Sequence, residues 1–329
     1  MKKIVICLLC LGLLLTGCGG RTEETGFVSL WLAEGDPLAG PLAELAEEYN
    51  RTKDRDALPL RLRVLESEEQ MSAGLAAGPD LLLCSHELAF SLWEQGSLRP
   101  AEAGDFVCPD WLRDRSEAVG AAVFPLGARL PLRSGNPEAG AFSAEDWAPL
   151  LYQRMLEAGC EFLARPERDL NRAEYRAAYN ALAEAAFDGR LILSEEPEAL
   201  LRGGALTGAY LWSDTLRTLP ETETAPLDEG ELLAEGECLA VLAREGRQSR
   251  SAAAFLRWLL AGERAGRLAL DAGLAPLCGA LPEGKTPLER CLLEIAGQRR
   301  LHLPEEASSY ERNRADYEAF FRTAMAALR

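Results

Sequence analysis

The chain has 329 residues, of which 48% are hydrophobic, and it carries a formal net charge of −17. Nucleic-acid binding rests on cationic side chains that neutralise phosphates, so a chain this acidic is a poor candidate for a nucleic-acid partner. Its length exceeds what one hydrophobic core comfortably organises and predicts two lobes.

The N-terminus has the features of an export signal. Lys2 and Lys3 precede an apolar run over residues 4–15. A membrane-spanning helix needs about 20 apolar residues, so this run is too short to span and fits a secretory leader. The L-T-G-C string at residues 15–18 follows directly and resembles the lipobox of bacterial lipoproteins, in which a peptidase cuts before an acylated cysteine.

That resemblance implies a signal peptide over residues 1–17 and a lipid anchor on Cys18, which would place the mature protein on the extracytoplasmic face of the cell membrane. One acyl chain binds membranes only marginally, and the diacylglycerol that the family places on the cysteine supplies two chains. Residues 18–26 are small or polar and predict a flexible lipidated tether. The alternative is an ordinary signal peptide with a chance cysteine.

The remaining cysteines give no pairing signature. They are widely spaced, lack a C-x-x-C pair and mostly lie in apolar runs, where cysteine behaves as a small buried hydrophobe. Export would permit disulfides, but we predict mostly free thiols. The six positions are Cys84, Cys108, Cys160, Cys238, Cys278 and Cys291.

Strands and helices alternate through the first hundred residues. Residues 27–32 form an apolar strand, and Asp36 caps a helix that follows. Residues 58–64 alternate as a second strand, 81–84 are uniformly apolar as in a buried parallel strand, and 87–95 form a helix. This order predicts right-handed crossovers and a parallel sheet with helices on both faces.

Ligands of such sheets bind beyond the carboxyl ends of the strands. Glu34 and Asp36 follow the first strand, and Ser85 and Glu87 follow the third. Carboxylates there can accept hydrogen bonds from hydroxyl groups. The alternative is a local role, in which Asp36 only caps its helix and Glu87 only favours a helix N-terminus through the helix dipole.

Several segments resemble the extracellular solute-binding proteins of the maltose-binding type. The first are W-L-A-E-G-D at 31–36 and G-P-D-L-L-L-C-S-H-E-L-A-F-S-L-W-E-Q-G-S-L-R-P at 78–100. Further segments agree in order, at 203–212, 238–243, 251–260 and 272–277. The resemblance implies a two-lobed α/β fold of the periplasmic-binding-protein type, with parallel-sheet lobes joined by a hinge that the chain crosses more than once.

The resemblance also divides the chain. It implies a first lobe of residues 27–125 plus 237–285 and a second lobe of residues 126–236 plus 286–329. Residues 123–133 would carry the chain across the hinge. The acidic stretch 221–237 is interpreted as a solvated loop.

The implied function is capture of a small polar solute, carbohydrate-like, by a monomer that delivers it to the permease subunits of an ABC importer. In this interpretation Trp212 stacks on a sugar ring opposite Asp36 and Glu87, with Glu34 and Ser85 as lesser candidates. Core packing is the alternative for Trp212, which ends an apolar run and precedes the polar Ser213 and Asp214.

Two other functions remain open. One is a ligand sensor or protein-interaction lipoprotein of the same fold that has lost transport, and the other is a surface hydrolase that uses paired carboxylates. His302 has no candidate ligand nearby. His86 follows Cys84 by two residues, a pair that could suggest a Cys/His nucleophile or half a metal site, but a zinc site needs three or four ligands. The motifs of zinc peptidases, serine hydrolases and phosphate loops are absent from the sequence. We therefore expect no enzymatic activity, no cofactor and no metal.

Overall fold

The computed structural model describes residues 26–75, 78–104, 106–135, 142–144, 147–162, 165–192, 194, 196–219, 224–227, 230–242, 246–298, 301–303 and 307–327. The predicted leader, Cys18 and nearly all of the predicted tether lie outside these residues. No helix in the described ranges is long and apolar enough to cross a membrane.

The strands, in chain order, are β1 Val28–Ala33, β2 Leu60–Leu65, β3 Leu81–Ser85, β4 Val123–Arg129, β5 Pro131–Gly135, β6 Phe142–Ala144, β7 Leu191–Ile192, β8 Gly208–Trp212, β9 Thr224–Pro226, β10 Leu232–Leu233, β11 Glu235–Val241, β12 Ala275–Pro276 and β13 Leu301–His302.

The helices are α1 Ala39–Thr52, α2 Glu68–Gly74, α3 His86–Glu94, α4 Asp110–Arg115, α5 Trp147–Glu157, α6 Pro166–Asp169, α7 Ala173–Phe187, α8 Pro197–Arg202, α9 Ser213–Leu216, α10 Arg247–Leu260, α11 Arg264–Asp271, α12 Pro287–Gly297 and α13 Ala307–Ala327.

The first sheet has six strands in the order β12-β4-β11-β3-β1-β2. Strand β1 pairs in parallel with both β2 and β3, as the alternation of strands and helices predicts. Strand β11 runs antiparallel to β3 and β4, and β12 runs antiparallel to β4. The sheet is therefore mixed. Strands β1, β2 and β3 form its parallel core, and β11 and β12, which come from a later part of the chain, run antiparallel to their neighbours.

The second sheet has the order β7-β6-β8-β5-β9, and a separate small sheet pairs β10 with β13. Strand β6 is parallel to β7 and β8, whereas β5 is antiparallel to β8 and β9. The interpretation of 221–237 as a solvated loop is wrong for much of that stretch. It contains β9, β10 and the start of β11, and Glu235 is buried.

Single residues link the first sheet to the second sheet and to the small sheet. Leu130 alone separates β4 from β5, within the predicted crossing, and Ala234 separates β10 from β11. Both residues are fully buried, in a hydrophobic cluster that also includes Leu132, Leu211 and Leu277 from the two sides. The predicted lobe boundaries at 125/126 and 236/237 fall inside β4 and β11, just before and after these crossings.

Helices cover both faces of the first sheet, as expected for its buried strands. One face packs on α1, α10 and α11 through Leu42, Phe255 and Leu268. The other face packs on α3, where Leu92 joins Leu82 and Cys84. The six cysteines predicted to be thiols are all free in the structure.

Candidate functional site

The loop after β1 brings Asp36 to the carboxyl end of the parallel strands. Its Oδ1 accepts a hydrogen bond of 2.8 Å from the Leu38 amide, so it also has the local capping role. Burial raises the pKa of Asp36 to about 6, and the carboxylates of Glu68 and Asp214 add to this shift while Arg129 opposes it. Side chains from distant parts of the chain thus lie within electrostatic reach of Asp36.

Glu68, the first residue of α2, brings to the end of β3 a carboxylate that the sequence did not single out. The amide and hydroxyl of Ser85 donate hydrogen bonds of 2.6 and 3.0 Å to the two carboxylate oxygens of Glu68. The Ser85 hydroxyl oxygen also accepts from the Leu88 amide at 3.4 Å and so caps α3. Ser85 therefore holds Glu68 at this strand end and starts the next helix.

Glu87 lies in the first turn of α3, with 14% of its side chain exposed and Oε1 at 3.9 Å from Nε2 of His86. The Gly236 amide donates a hydrogen bond of 3.3 Å to Nδ1 of His86. This contact places His86, the residue before Glu87, beside Gly236 near the start of β11. Glu34 is exposed, and its side chain makes no hydrogen bond or ion pair with the described residues.

Trp212 ends β8 on the side of the second sheet and is 4% exposed. The guanidinium carbon of Arg129 lies over its ring at 4.5 Å from the centroid, and that of Arg314 lies at 5.7 Å. Such contacts are favourable because the ring face is electrostatically negative. In this conformation arginine side chains cover the ring that the resemblance assigns to a sugar.

Glu235 connects these two arginines. Its Oε2 accepts from Nε and Nη2 of Arg129 at 2.6 and 2.5 Å, and its Oε1 accepts from Nη1 of Arg314 at 2.9 Å. Nη1 of Arg129 lies 3.9 Å from Oδ2 of Asp214. Burial alone would lower the pKa of Arg129, but the carboxylates of Glu235 and Asp214 outweigh burial and raise that pKa above its ordinary value. Arg129 is therefore always charged.

Burial also raises the pKa of Glu237, and the neighbouring charges of Asp36 and Glu68 add to the shift. Glu68, Arg129, Glu235, Glu237 and Arg314 are thus the members of this site that sequence reasoning missed. Only Arg129 carried a signal, since it lies in the predicted hinge crossing.

We name the carboxylate-rich group between the two sheets the acid cluster. It consists of Asp36, Glu68, Asp214, Glu235 and Glu237, and it faces Arg129 and Arg314. The described residues contain no group of three or more His, Cys, Asp or Glu side chains arranged to hold a metal ion. Closely spaced acceptors and guanidinium donors beside an indole ring suit hydrogen bonding to a polyhydroxylated solute.

The raised pKa of Asp36 predicts a pH-dependent stability. Between about pH 4 and 6 the folded protein keeps a proton at Asp36 that the unfolded chain has released. The free energy of unfolding therefore falls as the pH rises through this range. Asn keeps the Oδ1 acceptor for Leu38 but cannot ionise. We expect the stability of D36N relative to the parent to rise by about 1–2 kcal/mol from pH 4 to 7, measured by urea unfolding. A difference that does not change with pH would contradict this explanation.

No protein-family model and no curated protein matches the sequence. Solved structures do match over nearly the whole chain. The cyclic α-maltosyl-1,6-maltose binding protein of Arthrobacter globiformis is 16% identical with a TM-score of 0.67, over 92% of this chain and 94% of that chain. An ABC substrate-binding protein of Listeria monocytogenes, in complex with cycloalternan, is 12% identical with a TM-score of 0.68 and the same coverage.

A third match is the spermidine/putrescine ABC transporter substrate-binding protein of Streptococcus pneumoniae. It is 12% identical with a TM-score of 0.65, over 92% of this chain and 100% of that chain. At these identities the likeness establishes the fold. The chain has the α/β fold of ABC substrate-binding proteins, which confirms the fold class predicted from the sequence.

Proposed function

We propose that the protein is the solute-binding component of an ABC importer and captures a carbohydrate between its two lobes, anchored outside the cell through Cys18. The observation that carries the proposal is the convergence of strand-end side chains between the two sheets. Asp36 follows β1 and Glu68 begins the helix after β2, whereas Trp212 ends β8 and Asp214 lies in the helix after it. Arg129, the last residue of β4, lies at the crossing between the two sheets and contacts Trp212 and Asp214.

The chemistry of the site supports a polyol. Carboxylates accept hydrogen bonds from sugar hydroxyls, arginines donate to hydroxyl oxygens, and an indole can cover the apolar face of a ring. We propose that a bound sugar displaces Arg129 from the face of Trp212, while Glu235 keeps the guanidinium nearby. The solved structures of similar fold named for a cyclic maltosyl-maltose and for cycloalternan support this ligand class.

A calorimetric panel of mono- and oligosaccharides tests the proposal. A hydrogen bond to a charged group contributes about 1.5–3 kcal/mol, so D36N should weaken binding of a responding sugar about ten- to a hundredfold. Val64→Thr, on the exposed side of β2, is the matched control and should leave affinity unchanged. Failure of every sugar to bind would reject the carbohydrate class.

A second candidate solute is a linear polyamine. The carboxylates of the acid cluster outnumber its two arginines. Burial raises the pKa of Asp36 and of Glu237, and repulsion from the neighbouring carboxylates adds to the shift. A protonated amine would relieve that repulsion, and one solved structure of the same fold is named for spermidine and putrescine. Binding of spermidine with release of protons below pH 6, and no response to sugars, would favour this candidate.

The proposed anchor makes a separate prediction. With Cys18 replaced by Ala, we expect the protein to be released from membranes or to persist as an uncleaved precursor, because the thiol that carries the lipid is lost. Fractionation and the mass of the mature N-terminus measure this. Substitution of the neighbouring Thr16 by Ser is the control. A Cys18→Ala protein that is still processed and membrane-bound like the parent would contradict the anchor.

A further inference from the structure

The charges of the acid cluster are not balanced. Glu235 forms ion pairs with both Arg129 and Arg314, so both guanidinium groups are already bound. The three carboxylates on the side of the first sheet form no ion pair with the described residues. They belong to Asp36, Glu68 and Glu237. This part of the cluster therefore holds acids without a cation of their own.

Strand register brings these three acids together. Across β11 and β3, Glu237 is the Cα partner of Ser85, whose amide and hydroxyl hold Glu68. Strand β1, which ends shortly before Asp36, lies next to β3 in the sheet. Three like charges thus meet at the ends of neighbouring strands, where they repel each other.

Two acceptors of the cluster also lack a hydrogen-bond donor. The carboxylate of Glu237 accepts no hydrogen bond from the part of the chain that the structure describes, and Oδ1 of Asp214 is buried without a donor there. Glu237 lies in the first sheet, and Asp214 follows the second. A buried acceptor without a donor is unfavourable, so a solute that supplies donors to both would stabilise the closed site.

A protonated primary amine matches both deficits. It carries a positive charge and three N–H donors, whereas a hydroxyl group is neutral and has one donor. Hydrogen bonds between an ammonium group and a carboxylate are roughly twice as strong as those between neutral groups. The arginines cannot take this place, because Glu235 holds them on the opposite side of the cluster.

The rest of the site suits a sugar ring better than a chain of amines. Trp212 offers an apolar face once the guanidinium of Arg129, 4.5 Å from its centroid, moves aside. The two arginines can donate to ring hydroxyls. They would repel the further ammonium groups of a linear polyamine, so a single amine on a hydroxylated ring fits both halves of the site.

We infer that the solute is an amino sugar with a free amine, whose ammonium group binds among Asp36, Glu237 and Asp214 while its ring lies on Trp212. The inference rests on the proposed function and narrows it, from carbohydrates in general to positively charged ones.

Calorimetry with matched sugars near pH 7 tests this inference. The monosaccharide probes are glucosamine, galactosamine and mannosamine, each with its parent hexose and its N-acetyl derivative. Chitobiose, cellobiose and N,N′-diacetylchitobiose form a fourth set. Acetylation keeps an N–H group but removes the charge. In the parent protein, the amino sugar of the responding set should bind about ten- to a hundredfold more tightly than both neutral members, as one charged hydrogen bond gives.

Glu237→Gln should remove this preference. Gln has nearly the same shape and keeps an acceptor oxygen but carries no charge, so the affinity for the amino sugar should fall about tenfold or more while that for the neutral sugars changes by less than about twofold. Glu184→Gln makes the same change of charge on the exposed side of α7, away from the site, and is the matched control. It should keep the preference.

The contrary outcomes are distinguishable. If the parent binds neutral sugars as tightly as amino sugars, or if Glu237→Gln keeps the preference, the inference is overturned and the proposed function stands. It is also overturned alone if none of these sugars binds but a neutral oligosaccharide of the panel above does. Binding of spermidine with no response to any sugar overturns the inference and the carbohydrate proposal together.

Discussion

Replacement of Trp212 by Ala should lower the free energy of unfolding by about 3–5 kcal/mol, the range for truncating a large buried aromatic side chain. The ring is 4% exposed and lies under the guanidinium groups of Arg129 and Arg314, so its loss leaves a cavity and removes two cation–π contacts. Urea unfolding measures the change. In the proposed solute site, the same substitution removes the ring that we propose stacks on a sugar.

Trp212→Phe separates these effects. It keeps an aromatic face for the arginines and much of the volume, so we expect a smaller loss of stability than for Ala. A Trp212→Ala protein that unfolds at the same urea concentration as the parent would show that the ring is not packed as described.

Removal of Glu235 should have the next largest effect. Its carboxylate is 10% exposed and pairs with Arg129 and Arg314, whose side chains are 28% and 22% exposed. Taking away one partner of a buried ion pair costs about 3–5 kcal/mol, and partial exposure of the arginines reduces this. We expect Glu235→Ala to lower the free energy of unfolding by about 2–3 kcal/mol, again measured by urea unfolding.

An exposed pair is the control for this ion network. Asp188 and Arg190 lie 3.3 Å apart with side chains more than half exposed, so Asp188→Ala should change stability by less than about 0.5 kcal/mol. Equal losses for Glu235→Ala and Asp188→Ala would show that the network contributes no more than a surface pair. Rescue of Glu235→Ala by added salt would point to electrostatic repulsion between the two arginines.

Local signals predicted the elements of the first lobe well. The all-apolar run of β3 and the helical spacing of α1 depend on neighbours within one or two turns, so the sequence encodes them directly. The direction of β11 is not encoded this way. A strand buried on both faces has the same apolar pattern whether it runs parallel or antiparallel to β3.

The site was harder to predict because its members meet across long stretches of chain. Glu235 pairs with Arg129 from 106 positions away and with Arg314 from 79 positions away. From sequence alone, Glu235 belonged to an acidic run whose simplest interpretation was a solvated loop. Charge identifies an acid but not its partner. Asp36 and Glu87 could be placed only because each follows a strand end.

The single-residue crossings at Leu130 and Ala234 constrain how the cleft can open. One residue spans at most about 3.6 Å, so the two lobes cannot translate apart at this edge. The two links lie side by side, so we expect them to let the lobes bend about one axis and to resist a twist of one lobe relative to the other. If the proposed cleft opens, we expect a hinge motion with the smallest displacement beside Arg129 and the largest at the rim farthest from Leu130.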